Sequence, residues 1–154
     1  MHPTRLVRLY GLVVGAGLLL EGGMLLLLDA LRLVLPSLPF ATGDSRHNAL
    51  HMVWGLAILA LLVTSRAPRR AVLVVGVFGI FYTALAIIGV LVDRPFGLLI
   101  GPGESVFHFT VGPLALALSA WAAAQSLASN SASSAASVVS AAPGSTSGDG
   151  AGPR

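Results

Sequence analysis

Residues 9–28, LYGLVVGAGLLLEGGMLLLL, carry a single charged side chain, Glu21. An apolar run of about 20 residues has the length that a helix needs to cross the hydrocarbon core of a bilayer. A carboxylate at the centre of such a helix costs about 3 kcal/mol or more, so it is usually neutralised, paired or put to use. We therefore expect a membrane-spanning helix in which Glu21 is a candidate site.

The composition of the whole chain indicates the same class of protein. Hydrophobic residues make up 55% of the 154 residues, charged residues 10%, and the mean hydropathy is +0.87. These values predict an all-α integral membrane protein, a four-helix bundle without a separate soluble domain. The sequence contains no cysteine, which excludes disulfides, thiolate metal ligands and cysteine nucleophiles.

Four apolar segments are separated by polar stretches or by stretches that contain proline and glycine. The predicted spans are residues 8–31, 48–64, 71–92 and 106–127. Residues 128–154 are rich in serine, alanine, glycine and proline, and they are predicted to form a disordered cytoplasmic tail.

The arginines indicate the orientation in the membrane. Arg5 and Arg8 precede the first span, and Arg66, Arg69 and Arg70 fill the connection between the second and third spans. In the other two connections arginines are mixed with acidic residues, so the positive-inside rule places both termini in the cytoplasm, with the bundle in the cell membrane. The net charge of +3 reflects this topology. Binding to nucleic acid is not expected, because no basic face alternates with aromatic residues.

The second and fourth spans resemble each other. With an offset of 57 residues, His51 aligns with His108 and Gly55 aligns with Gly112. The first span aligns with the third at an offset of 61, through an LVVG segment in each. A repeated helical hairpin of this kind implies a pseudo-two-fold axis along the membrane normal, which would place both histidines at equal depth in the outer half.

The segments NALHMVWG, residues 48–55, and SVFHFTVG, residues 105–112, carry a family resemblance. They resemble the paired Asn-x-x-His-x-x-x-Gly segments of small bacterial four-helix membrane proteins, the domain of unknown function 4383 family. The resemblance extends over residues 6–127, and Ser105 stands where the family has a second asparagine. Membership would imply a bacterial cytoplasmic-membrane protein, and it supplies no activity.

The His-x-x-x-Gly spacing places both residues on one face of a helix, one turn apart. Glycine allows a neighbouring helix to approach closely, and histidine can form a hydrogen bond across the contact. Residues expected to serve helix packing are Asn48, Gly55, Ser105, Gly112 and Pro113, together with Gly11, Gly15, Gly17, Ala115, Ser119 and Ala122.

Pro113 removes a helical hydrogen bond to the carbonyl of Phe109, so a kink is expected in the fourth span. A carbonyl freed in this way must find another partner at membrane depth. We therefore expect a small polar pocket around His108, Phe109 and Thr110.

Glu21, His51 and His108 form the predicted intramembrane polar site. Counting from the helix ends, Glu21 and the histidines differ in depth by about one helical turn, so a Glu21–His51 or Glu21–His108 pair is feasible. The alternative is a neutral Glu21 that donates a hydrogen bond to a hydroxyl or backbone group.

Three functional classes are compatible with these features. The first and favoured one is a non-enzymatic multi-pass protein that acts as a subunit, scaffold or partner-binding bundle, since no motif for catalysis or for a cofactor is present. Its partners would be the lipid bilayer and other membrane proteins, including a second copy. In the second class, Glu21, His51, His108 and Tyr82 relay protons, ions or a small solute.

A third class is a haem or metal protein. His51 and His108 could ligate a b-type haem. His47 lies one helical turn before His51, so these three histidines, with Glu104, could instead bind a transition metal. The sequence alone favours no cofactor, and these residues are only candidates.

Overall fold

A computed structural model describes residues 2–31, 44–92 and 94–140, which fold into a bundle of four long helices. The helices are α1 (Pro3–Ala30), α2 (Ser45–Val63), α3 (Pro68–Leu91) and α4 (Pro102–Ser140), and a short 3₁₀ helix (Pro95–Gly97) precedes α4. All four long helices are apolar enough to cross a membrane. The described part of the chain is all-helical, as the sequence predicted.

All four helices begin a few residues earlier than predicted, and three of them begin at a proline. Pro3, Pro68 and Pro102 are the first residues of α1, α3 and α4. Proline suits this position because its fixed φ matches the helix and the N–H that it lacks would have no partner there. In α2 the preceding Asp44 is the N-cap, and its carboxylate accepts a hydrogen bond from the Arg46 backbone N–H at 2.9 Å.

The fourth helix continues past Leu127, its predicted end, to Ser140. Residues 128–140, which the composition assigned to a disordered tail, are helical, and residues 141–154 lie outside the described part of the chain. Alanine is the strongest helix former. The hydroxyls of Ser129, Ser131, Ser133 and Ser137 donate to carbonyls three or four residues earlier instead of competing with the helix.

Helices α1 and α2 form an antiparallel hairpin with a glycine-lined contact. A Cβ added to Gly55 would lie 2.5 Å from the backbone nitrogen of Leu19 and 2.6 Å from the carbonyl oxygen of Gly15. A Cβ on Gly22 would contact the backbone of Asn48 and lie 2.7 Å from a second backbone atom, the nitrogen of Met52. The two backbones therefore approach each other where a side chain would not fit.

Helices α3 and α4 repeat this arrangement. A Cβ added to Gly112 would lie 2.6 Å from the backbone nitrogen of Thr83, and one on Gly79 would lie 3.0 Å from the carbonyl oxygen of Gly112. The Gly79–Gly112 contact thus corresponds to the Gly15–Gly55 contact of the first hairpin.

Burial follows the same correspondence in both pairs of helices. The buried positions of α1 match buried positions of α3 at an offset of 64 residues: Val7, Gly11, Gly15, Leu18 and Gly22 with Ala71, Val75, Gly79, Tyr82 and Ala86. The offset of 61, which matches Gly15 with Gly76, is three residues short, because runs of leucine and valine align in several registers. The offset of 57 between α2 and α4 pairs buried His51 with buried His108.

Hydrogen bonds made by polar side chains connect the ends of the helices. At one end Ser45 Oγ donates to Asp29 Oδ2 at 2.6 Å, and the Leu99 backbone N–H donates to Asp44 Oδ2 at 2.7 Å. At the other end the Arg8 guanidinium donates to the Ser65 carbonyl at 2.7 Å. The first two bonds fix the start of α2 against the end of α1 and against the segment that leads into α4.

We expect Asp44→Ala to lower stability by about 1 kcal/mol at neutral pH, the usual cost of losing an N-cap. Burial alone would raise the pKa of the Asp44 carboxyl, but hydrogen bonds from the backbone N–H groups of Leu99, Arg46 and His47 outweigh it, so the pKa is lowered. A depressed pKa stabilises the fold above the unfolded value of about 3.9 and loses this effect as the pH falls through the folded value.

Thermal unfolding of the wild type and Asp44→Ala across pH measures this effect. The difference between their melting temperatures should be largest near neutral pH and should decrease below about pH 4. A gap of the same size at both ends of the range would contradict a role for the carboxylate charge.

Candidate metal centre

Three histidines fill the space between α2 and α4. His47 and His51 lie one turn apart on α2, His108 lies on α4, and all three are buried. Their ring centroids are 4.5 Å (His47–His51), 5.3 Å (His47–His108) and 5.9 Å (His51–His108) apart. One ligand nitrogen from each ring can be chosen so that all three lie within 4.8 Å of one another. The fold thus brings together the three histidines that the sequence named as metal candidates.

In two of the three rings, Nδ1 lies next to a carboxylate. Nδ1 of His51 donates to Glu21 Oε2 at 2.9 Å. Nδ1 of His47 lies 3.3 Å from Glu104 Oε1 and 3.2 Å from the Leu99 carbonyl oxygen. An ionised carboxylate and a carbonyl oxygen only accept hydrogen bonds, so with Glu21 and Glu104 ionised Nδ1 carries the proton in both rings. Each neutral ring then keeps a lone pair on Nε2.

The remaining ring nitrogens are not hydrogen-bonded to the described part of the protein. Nε2 of His47, Nε2 of His51 and both ring nitrogens of His108 are buried without a partner there. Buried polar atoms are normally bonded, and each exception costs about 1–3 kcal/mol. An ion bound between the rings would satisfy three of these four atoms, one on each ring.

The sequence grouped Glu104 with the histidines as a further metal ligand. In the structure Glu104 instead contacts the Nδ1 side of His47. The offset of 57 residues places Glu104 of α4 at the position of His47 in α2, so the two equivalent residues meet across the bundle. This pairing could be derived from the repeat only once the depth of both helices was known.

Tyr82 is the fourth member of the predicted relay. Its ring centroid lies 5.1 Å from that of His108 and 6.0 Å from that of His51. Its hydroxyl is buried and makes no hydrogen bond within the described ranges. The residues of the relay are therefore neighbours, but a continuous chain of hydrogen bonds is present only between Glu21 and His51.

The polar pocket expected around Phe109 and Thr110 is not formed by those residues. Both are exposed on the outside of α4, and the Thr110 hydroxyl donates to the Val106 carbonyl of its own helix at 2.7 Å. The reason is helical geometry, since each residue step turns the side chain by about 100° away from the direction of His108. The polar side chains that pack against His108 are His47 and His51 of α2 instead.

The remaining predicted packing residues are placed as follows. Asn48 is buried at the α1 contact, and Pro113 lies within α4, which continues through it. The Ser105 hydroxyl donates to the Gly101 carbonyl at 3.0 Å, in the first turn of α4. Ser105 therefore stabilises the start of its own helix through this bond.

The geometry suits a single ion better than a haem. His51 and His108 would have to lie on opposite sides of a porphyrin, but the rings of His47 and Tyr82 pack directly against them. These rings occupy the space that a macrocycle between the two histidines would need.

We expect Glu21→Leu to destabilise the protein more than Glu21→Gln. Glutamine keeps the shape and an acceptor for the His51 Nδ1–H, whereas leucine leaves that buried donor without a partner, at a cost of about 1–3 kcal/mol. Thermal unfolding in detergent measures the difference, with Met24→Leu on the exposed face of α1 as the control. A Leu variant as stable as the wild type at every pH would show that the Glu21–His51 bond does not stabilise the fold.

No protein-family model, no curated protein and no solved structure was found to match this chain. The resemblance to the domain of unknown function 4383 family stays a prediction, and the function must be argued from the geometry of the site.

Proposed function

We propose that this protein is an integral membrane bundle that binds a transition-metal ion between α2 and α4. The ligands are Nε2 of His47, Nε2 of His51 and one ring nitrogen of His108. Two observations support this function best. One nitrogen from each of the three buried rings can be chosen so that all three lie within 4.8 Å of one another, and each ring carries at least one buried nitrogen without a hydrogen-bond partner among the described residues. Imidazole is a common ligand of zinc, copper, iron and nickel.

The distances are compatible with such a centre. Zinc–nitrogen bonds of about 2.0–2.1 Å in a tetrahedral site place ligand nitrogens about 3.4 Å apart. The nitrogens here lie within 4.8 Å of one another, so small rotations of the side chains would bring them to the ion. Three histidine ligands would also leave a fourth position open for water or another ligand.

The carboxylates support the same function. Metal-binding histidines commonly donate their second ring N–H to a carboxylate, which orients the ring and makes the ligand nitrogen more basic. Glu21 occupies this place behind His51, and Glu104 occupies it behind His47. The negative charge of these groups would in addition favour a dication between the rings.

We infer from the arginines that the bundle lies in the cell membrane with both termini in the cytoplasm. His47 lies near the start of α2, so the centre would lie in the outer half of the membrane. A reporter fused after Arg70 should then read as cytoplasmic, and an external reading would reverse the depth of the site. The role as a subunit or scaffold for other membrane proteins stays a prediction, and it is compatible with metal binding.

Metal titration tests the function. Purified protein stripped with a chelator and loaded with Zn²⁺ should retain one ion per chain after desalting, and Co²⁺ should give the visible absorption of a tetrahedral site. His2→Ala removes the histidine outside the centre and should bind as the wild type does. A wild type that retains no more metal than the variant lacking His47, His51 and His108 would refute the proposal.

A further inference from the structure

A cleft of about 400 Å³ lies between α1 and α4, next to the histidines. Its apolar walls are formed by Val13, Val14, Gly17, Leu18 and Phe107. Its polar residues are Glu21 of α1, Glu104 of α4 and His51 of the neighbouring α2. The volume falls within the range of sites that hold small organic ligands, and the arrangement of mostly apolar walls with a few polar groups is typical of them.

Gly17 explains why the cleft is open. The sequence predicted a packing role for this glycine, but a Cβ added to Gly17 would meet nothing within 4 Å. By contrast, a Cβ on Gly15 would lie 3.0 Å from the Ile58 side chain. The missing side chain at Gly17 therefore serves no helix contact, and it leaves a flat, open wall on the α1 side of the cleft.

Glu21 gives the cleft a hydrogen-bond acceptor. Its Oε2 accepts from His51, and 34% of its side chain remains exposed. The neighbouring outer faces of the two helices carry exposed apolar side chains, among them Val13, Leu20 and Val106. A molecule reaching the cleft between these helices would come from the lipid, so it must be lipid-soluble and should donate a hydrogen bond.

We propose that this cleft binds a lipid-soluble aromatic molecule with ring hydroxyls, of the quinol type. A hydroxyl donates to Glu21, and the ring lies against Gly17 and Phe107. A flat ring matches the open glycine wall and can pack on the phenyl ring of Phe107. A plain acyl chain would bring no donor to the carboxylate. The inference goes beyond the metal site, and it does not require the ion to be bound.

The test uses the full chain in nanodiscs of synthetic phosphatidylcholine. The probe is a decyl-substituted benzoquinol with a photoreactive group, displaced by the unlabelled compound. The wild type should be labelled on α1 and α4. Glu21→Gln should weaken binding about tenfold, because it replaces a charge-assisted hydrogen bond with a neutral one. Gly17→Phe should remove specific labelling by filling the cleft.

Gly23→Phe is the matched control, because a Cβ on Gly23 also meets nothing within 4 Å and Gly23 does not line the cleft. It should be labelled as the wild type is. Gly17→Phe should retain the metal content of the wild type, which separates failure of the cleft from failure of the metal centre. If Gly17→Phe does not fold, Gly17→Val provides the same comparison with a smaller side chain.

Two results would overturn the proposal. One is equal labelling of the wild type and the folded Gly17 variant, which would place the probe elsewhere. The other is displacement of the probe by decanol as effectively as by the quinol, which would show that the cleft accepts only an alkyl chain.

Discussion

His108→Leu is expected to lower the affinity for Zn²⁺ by more than about 100-fold, since it removes one of three ligands. The same substitution should leave the metal-free protein as stable as the wild type or more stable. Both ring nitrogens of His108 are buried without a partner in the described chain, and leucine of similar size removes that cost. Loss of binding together with retained stability distinguishes a ligand from a residue that only supports packing.

Competition with a chromophoric chelator measures the affinity of His108→Leu, and thermal unfolding in the presence of EDTA measures its stability. His2→Ala again serves as the control. If the variant binds Zn²⁺ with unchanged affinity and is strongly destabilised without metal, His108 is a packing residue and not a ligand.

Gly55→Leu and Gly112→Leu are each expected to destabilise the bundle by about 3 kcal/mol or more. Overpacking a core costs about 1–3 kcal/mol where side chains can shift. Here the new Cβ would lie 2.5 Å from a backbone atom of α1 in one case and 2.6 Å from one of α3 in the other. Backbone atoms cannot move aside without separating the hairpin, so the cost should reach or exceed the upper end of that range.

The melting temperature in detergent measures this loss, and Gly23→Leu is the matched control. Gly23 lies in α1 with open space at its Cβ position, so its substitution should have little effect. If the three variants melt at the same temperature, the glycine contacts do not hold the hairpins together.

The architecture could be predicted from the sequence because apolar length and helix-breaking connections determine it. The helix starts were missed by a few residues because the spans were bounded by charge or by proline and glycine, whereas Pro3, Pro68 and Pro102 are the first helical residues. The end of α4 was missed because a serine- and alanine-rich composition suits both a helix and an unfolded tail. The offset between α1 and α3 depended on residues that repeat too often to fix a register.

The residues of the candidate site could be predicted from the sequence, but their arrangement could not. Glu21 is conspicuous as a charge in an apolar run, and the His47–His51 spacing places two imidazoles on one face. The sequence could not show which carboxylate contacts which histidine ring, since that depends on the relative depth of three helices. It also could not distinguish Gly15 from Gly17, because the difference lies in the residues that face each glycine.

X-ray absorption at the zinc edge of the loaded protein tests whether three histidines bind the ion. We expect one zinc per chain with three imidazole nitrogens at about 2.0–2.1 Å, and the loss of one imidazole in the residual zinc complex of His108→Leu. A spectrum with oxygen ligands only, or one that is the same in the wild type and in His108→Leu, would contradict it.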